Sequence, residues 1–287
     1  LEFRRVLFRS LNSQNNRGFE LTLGTSGAIR DLGYEISGNI SWSRAKWGHY
    51  EEQNYTDPDQ IRIYQLSGKW TDVQYGYKSA GLFTSQDEIA KLKYSYPAGN
   101  SSLRPGDIKY VDVKNDGVLD WRDQVAIGKG TVPHWMAGAT IKLTYKQFDL
   151  SALFQGAFGY YNYIQLDHGN INYSQVMYNL RWSEQNNSAD AFFPRLGGST
   201  TNGFISDHFY KKAGYVRLKV LSIGYNLPKN MLQKLNIQGL RIYFAGTNLL
   251  TFNKLKDFQV DPESPSGNAA YYYPQLRTMT LGANLTF

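Results

Sequence analysis

Seven segments of this chain alternate with period two, and the connections between them are short and long in strict turn. Phe19, Leu21 and Leu23 share one face of the first segment. In the second, Tyr34, Ile36, Ile40 and Trp42 oppose Glu35, Ser37, Asn39, Ser41 and Ser43. In the third, Trp135, Ala137, Ala139, Ile141, Leu143 and Tyr145 oppose His134, Gly138, Thr140, Lys142 and Thr144. The fourth sets Phe148, Leu150, Ala152 and Phe154 against Asp149, Ser151 and Gln155. The fifth is mixed but ends in Leu221, Ile223 and Tyr225, and the sixth aligns Leu240, Ile242 and Phe244. The seventh sets Met279, Leu281, Ala283, Leu285 and Phe287 against Thr278, Thr280, Gly282, Asn284 and Thr286. Such alternation marks half-buried strands, here near 17–30, 34–47, 133–145, 147–160, 212–226, 238–250 and 273–287.

The short links are Arg30–Gly33, Lys146–Gln147 and a stretch from Leu227 to Asn236 with room for one helical turn. The long ones cover roughly 48–132, 161–208 and 251–272. Compact soluble domains rarely carry several long loops. Outer-membrane barrels do so as a rule, with short periplasmic turns and long extracellular loops. The strand lengths suit a bilayer, which needs ~9–11 residues per tilted strand with aromatics at both interfaces. Trp135 and Tyr145 bracket the third strand, and Phe148 with Phe154 or Phe158 the fourth. The Thr, Ser, Asn, Gln and Lys faces would then line a wet lumen, with Glu35 and Asp149 projecting into it. Phe287 fits the aromatic end of a last barrel strand. The fold expected is all-β: the carboxyl-terminal strands of a large antiparallel transmembrane β-barrel with long extracellular loops. Seven strands do not close such a barrel, whose strand number is even, and an open sheet in lipid leaves backbone unpaired. A piece of a larger barrel is therefore expected.

Composition supports strands and removes several function classes. Of 287 residues, 15% are aromatic and 27 are glycine, which favours strands with one apolar face. No run reaches the ~18 apolar residues of a transmembrane helix, a test blind to barrels. Cysteine is absent, so thiol and disulfide chemistry are excluded. The net charge of +7 is scattered rather than clustered, so no nucleic-acid partner is expected. His49, His134, His168 and His208 lack metal-ligand spacing, the adjacent pair Glu51–Glu52 points apart, and no nucleophile or phosphate-loop motif occurs. An enzyme is not expected. Residues 1–10, LEFRRVLFRS, carry no strand alternation and are read as a cloning or sequencing scar or a truncation edge.

An acidic stretch, Asp112–Asp123, has the layout of an EF-hand-type calcium loop. Ligand positions fall on Asp112, Lys114, Asp116, the Val118 carbonyl, Asp120 and Asp123, with Gly117 at the turn. Lys114 departs from the pattern by replacing an oxygen ligand with a cation, and Asp123 is shorter than the usual Glu. The loop is either a weak calcium site or a metal-free Asx-type turn, and in either case a clip on a long loop rather than a sensor. Loop aromatics Trp121, Tyr160, Tyr161, Tyr163, Trp182, Tyr271, Tyr272 and Tyr273 are candidates for stacking on sugars. Of these, Trp121, Tyr160, Tyr161, Trp182 and Tyr272 form the candidate substrate set. Interface girdle, loop packing or contact with a lid protein would equally account for each ring.

Six ordered blocks resemble the SusC/RagA-type TonB-dependent transporters. They are GYKSAGLFTSQDEI (76–89), GDIKYVDVKNDGVLDWRDQVAIG (106–128), FDLSALFQGAFG (148–159), GYVRLKVLSIGYNLP (214–228), LRIYFAGTNLLTF (240–252) and YPQLRTMTLGANLTF (273–287). The resemblance implies part of a plugged, twenty-two-stranded outer-membrane barrel. It further implies a SusD-like surface lipoprotein as lid, energy from the TonB complex, outer-membrane lipid around the wall, and glycan or peptide cargo. The plug and the TonB-contacting segment are not among these residues. The rival reading is a secreted β-sandwich that binds carbohydrate and uses the acidic loop as a calcium clip.

Overall fold

A computed structural model describes residues 11–164, 175–232, 237–267, 272–273 and 275–287. Residues 1–10, His168 and Tyr271 lie outside the described residues. Among the described residues the strands, in chain order, are β1 (Ser13–Ile29), β2 (Leu32–His49), β3 (Val73–Gly76), β4 (Ser79–Leu82), β5 (Ile108–Tyr110), β6 (Val125–Lys129), β7 (Trp135–Tyr145), β8 (Phe148–Phe158), β9 (Tyr161–Tyr163), β10 (Tyr210–Lys212), β11 (Tyr215–Asn226), β12 (Gly239–Asn253) and β13 (Thr278–Thr286). Seven of them form one sheet in the order β1-β2-β7-β8-β11-β12-β13, the seven expected from periodicity. The chain divides into two compact units, one built on this sheet and one on the connections 44–131 and 163–211.

In the sheet unit every registered pair is antiparallel. The hairpins β1–β2 and β7–β8 turn at Arg30 and Lys146, both with φ 53°. A two-residue turn needs such left-handed φ to match the twist of its strands. Register places Trp42 opposite Trp135 and Trp135 opposite Phe158, then Ile36 opposite Ile141 and Ile141 opposite Ala152. It carries the same face on through Leu150 and Ile223 to Phe244 and Leu281. One face is thus apolar across the sheet from β2 to β13.

The fifth strand looked mixed in sequence for a physical reason. Its pairing with both neighbours shifts between Leu218 and Val220. The extra residue, Lys219, inverts the alternation: Val216 and Leu218 precede it on the apolar face, and Leu221, Ile223 and Tyr225 follow. The link β11–β12 carries the expected helical turn, Lys229–Leu232.

The loop unit has an ordinary buried core. Leu82, Phe83, Leu103, Ile108, Tyr110 and Leu119 are fully buried, with Ile89, Tyr96, Ile164 and Phe193 nearly so. It contains short strand pairs, β3–β6 and β4–β5, and short helices at Pro58–Ile63 (α1) and Gln86–Ala90 (α2). Both helices begin on capping side chains: Asp57 accepts from the amides of Asp59 and Gln60, and Ser85 from that of Glu88.

Candidate functional site

The apolar face of the sheet is the first functional surface, because it stays uncovered. Phe19, Leu21, Leu23, Ile36, Ile40, Ile223, Ile242, Met279 and Leu281 are all exposed, Leu281 at 81%. Aromatic rows bound it at both ends. Phe19, Trp42 and Trp135 form one contact group, with centroids 5.8–6.4 Å apart. Phe148 and Tyr225 meet at 4.8 Å beside Tyr145 at the other. The eleven residues of β7 join the two rows. At ~3.3 Å per residue and a ~40° tilt they span ~25 Å of height, which is the apolar band of an outer-membrane barrel. Monomeric soluble proteins rarely leave so large an apolar patch bare.

The opposite face is polar and charge-paired. Lys142 donates to Glu35 across β2–β7 at 2.9 Å. Arg241 on β12 reaches across β11 to Asp149 on β8, its Nε 3.0 Å from Oδ1 and its Nη2 2.5 Å from Oδ2. It passes over Gly224, where a Cβ would lie 2.5 Å from both Arg241 and Asp149. Further along the face, Arg217 is buried, 2% exposed, and its Nη2 holds both oxygens of Asp261 at 3.0 Å. Its Nη1 bonds Glu263 and its Nε donates to Thr251 at 3.0 Å. Glu263 also accepts from Tyr215 and Lys219.

The acidic loop closes on itself. Asp112 accepts from the amides of Asn115 and Gly117, and Asp116 from that of Val118. Asp123, fully buried, accepts from the amides of Val113, Lys114 and Asp120. Asp120 caps the turn Trp121–Asp123. Burial pushes the Asp123 carboxyl up, with the charge of Asp112 adding, against the pull of those amides. Gly117 takes φ 86°, and the segment zips to Ser95 through Gly117 and Leu119. Lys114 turns out of the loop to Asp59 on α1, 2.9 Å away. The departure from the calcium pattern thus has a structural use, as a tether between loop and helix. Among the described residues no three metal-ligating side chains converge. The donor set fits a loop closed by its own amides better than one closed by a cation.

The aromatic candidates do not form one surface. Trp182 is buried beneath Gly106, its Nε1 donating to Asn187 at 3.0 Å. Tyr160 is buried, its hydroxyl donating to the Pro262 carbonyl at 2.8 Å. Neither offers an open ring to a sugar, because both side chains are buried. Tyr161 is half-buried in β9, Trp121 is half-buried and stacks on Tyr64 at 5.4 Å, and Tyr272 is exposed. Phe287 is exposed beyond the end of β13.

Sequence reasoning missed the polar clusters. Besides Arg217, the fully buried Asp107 binds Arg195 at 2.9 Å and Asn202 at 2.9 Å, joining residues some ninety apart in sequence. Nothing local marks such partners. The one available signal was a pair of basic residues, Arg217 and Lys219, among apolar neighbours, and the acidic DPES further on.

The chain matches solved structures. It superposes on the RagAB peptide transporter with a TM-score of 0.66 at 23% identity, over 96% of this chain and 30% of that one. A closed-closed RagAB peptide importer gives 0.64 at 24%, again over 96% of this chain and 30% of that one. In sequence, TonB-dependent receptor P3 of Formosa agariphila is 31% identical, over 97% of this chain and 29% of the relative. The chain belongs to the TonB-dependent receptor family. TonB-dependent receptor SusC of Bacteroides thetaiotaomicron is 26% identical over 99% of this chain and 28% of its own length. The chain therefore spans under a third of the curated receptors it matches. No family model matches it. Its receptor relatives are named as receptors and transporters, not enzymes.

Proposed function

We propose that this chain is the carboxyl-terminal wall and loop set of an outer-membrane importer that takes up nutrients with TonB-supplied energy. The bare apolar face bounded by two aromatic rows carries this reading, since only lipid matches its height and continuity. A β-sandwich would press that face against a second sheet, and its residues would then be buried. The partners proposed are outer-membrane lipid, a SusD-like surface lipoprotein and, through segments outside this chain, the TonB complex. The cargo proposed is a glycan or peptide. Trp121, Tyr161 and Tyr272 are the aromatic candidates with ring surface left for cargo or lid.

Calcium on Asp112, Asp116, the Val118 carbonyl, Asp120 and Asp123 is a separate proposal. The amide bonds already made to these carboxylates favour the metal-free clip.

Antiserum against residues 240–287, applied to fractionated cells, tests the main reading. A band several times larger than 32.7 kDa in the outer membrane supports it. A band near 32.7 kDa in the soluble fraction sinks it and restores the β-sandwich.

A further inference from the structure

In the connection between β12 and β13, residues 255–264 fold along the polar face of the sheet. Leu255, Val260 and Ser264 are buried, and every anchor comes from the sheet or its margin. Tyr160 donates to the Pro262 carbonyl, and Asn162 to the Ser264 carbonyl at 3.1 Å. The charged centre is Arg217, flanked by Tyr215 and Lys219, which together hold Asp261 and Glu263. Two of the strap's carboxylates, Asp261 and Glu263, are met by two cations, Arg217 and Lys219, so that cluster is neutral. Arg217 is the only member that reaches Asp261, Glu263 and the wall residue Thr251 together.

We propose that Arg217 is a positioning residue that latches the 255–264 strap inward over the lumenal wall of β8, β11 and β12, narrowing the passage at the end where the long connections leave. The proposal rests on the importer reading, which makes the polar face lumenal. The bulge at Lys219 is what allows it. By inverting the alternation there, it puts Tyr215 and Arg217 on the polar face while Val216 and Leu218 keep to the lipid side. Without the extra residue, one of these two sets would point the wrong way.

The test is cysteine labelling of the intact receptor in whole cells with a membrane-impermeant maleimide, since this chain has no cysteine of its own. Ser264→Cys reports the strap. Val132→Cys, at a position 73% exposed, reports surface access. Arg217→Ala is expected to speed labelling of Ser264→Cys by at least about tenfold, as loss of a buried ion pair shifts a local opening equilibrium. Arg217→Lys, which keeps the charge but lacks the fork, should fall between. Arg241→Ala, which breaks the separate pair with Asp149, should leave the rate unchanged. If Arg217→Ala assembles poorly, Arg217→Lys and Glu263→Gln carry the same comparison. Equal rates in the parent and the Arg217 variants overturn the latch, as does equal acceleration by Arg241→Ala. If Val132→Cys is itself unlabelled and the receptor is absent from the outer membrane, the importer reading fails and the latch with it.

Discussion

His208 is buried with its ring stacked on Phe192 and its Nε2 against the Phe192 carbonyl. Burial lowers its pKa from 6.5 to about 4, with Lys211 pushing the same way and the Phe192 carbonyl and Asp207 opposing. A histidine kept neutral in the fold contributes stability that is present above its unfolded pKa and lost as pH falls. The loop unit should therefore loosen between pH 6.5 and about 4, by up to ~3 kcal/mol. Protease resistance of the loops across that range checks this, and His208→Phe should flatten the profile. At Gly224 the constraint is steric. Gly224→Ala should lower the folded fraction in the outer membrane by ~1–3 kcal/mol, because its Cβ would displace Arg241 or Asp149. Gly239→Ala, whose nearest contact would be 3.7 Å, should be neutral, with heat-modifiable gel mobility reading the folded fraction of both variants. Neither residue was legible beforehand. The ring of His208 is buried by residues distant in sequence, and Gly224 is one glycine among 27 until Arg241 is seen crossing it.

At the level of elements, the acidic loop is the clearest case of a spacing pattern that leaves its chemistry open. Spacing alone gave Asp112, Asp116, Asp120 and Asp123, but spacing does not say whether a carboxylate faces a cation or an amide. The hydrogen bonds decide what to expect. A calcium chelator should leave the protease resistance of the 112–123 loop unchanged in the intact receptor. Asp123→Ala should open it, since three part-buried amides lose their acceptor, at about 1 kcal/mol each. Loss of resistance on chelation alone would restore calcium as the clip. Strands were more legible than loops for a related reason. A half-buried strand writes its face into alternate residues of one short segment, and β7 did so without ambiguity. The fifth strand blurred where Lys219 inverted that alternation, and the strap left only Arg217, Lys219 and the acidic DPES as signals, because Arg217 and Asp261 are 44 residues apart.

For the whole molecule, the sheet and the loop unit obey opposite solvent rules: the first leaves its apolar face bare, and the second buries an aromatic core. Ile141→Arg, at the middle of the bare face, should cost ~2–4 kcal/mol in the membrane, while Thr140→Lys on the polar face should be tolerated. Heat-modifiable gel mobility of the outer-membrane fraction reads both. The strands of the main sheet and the face each presents were visible in sequence, because a one-sided apolar face is written locally into alternate residues. The joining of two long connections into one core was not, because Asp107 meets Arg195 and Asn202 only in space. That core also imposes an order of events. Its two segments, 44–131 and 163–211, are separated along the chain by the β7–β8 hairpin. The first segment is synthesised before the second, so the cluster of Leu82, Phe83 and Tyr110 is completed only once Phe193 and Thr201 have followed. Non-local closure of this kind is slow. The surface loops of this receptor should be the last part to become protease-resistant during biogenesis, and the interval before they close is when the chain most needs a chaperone at its side.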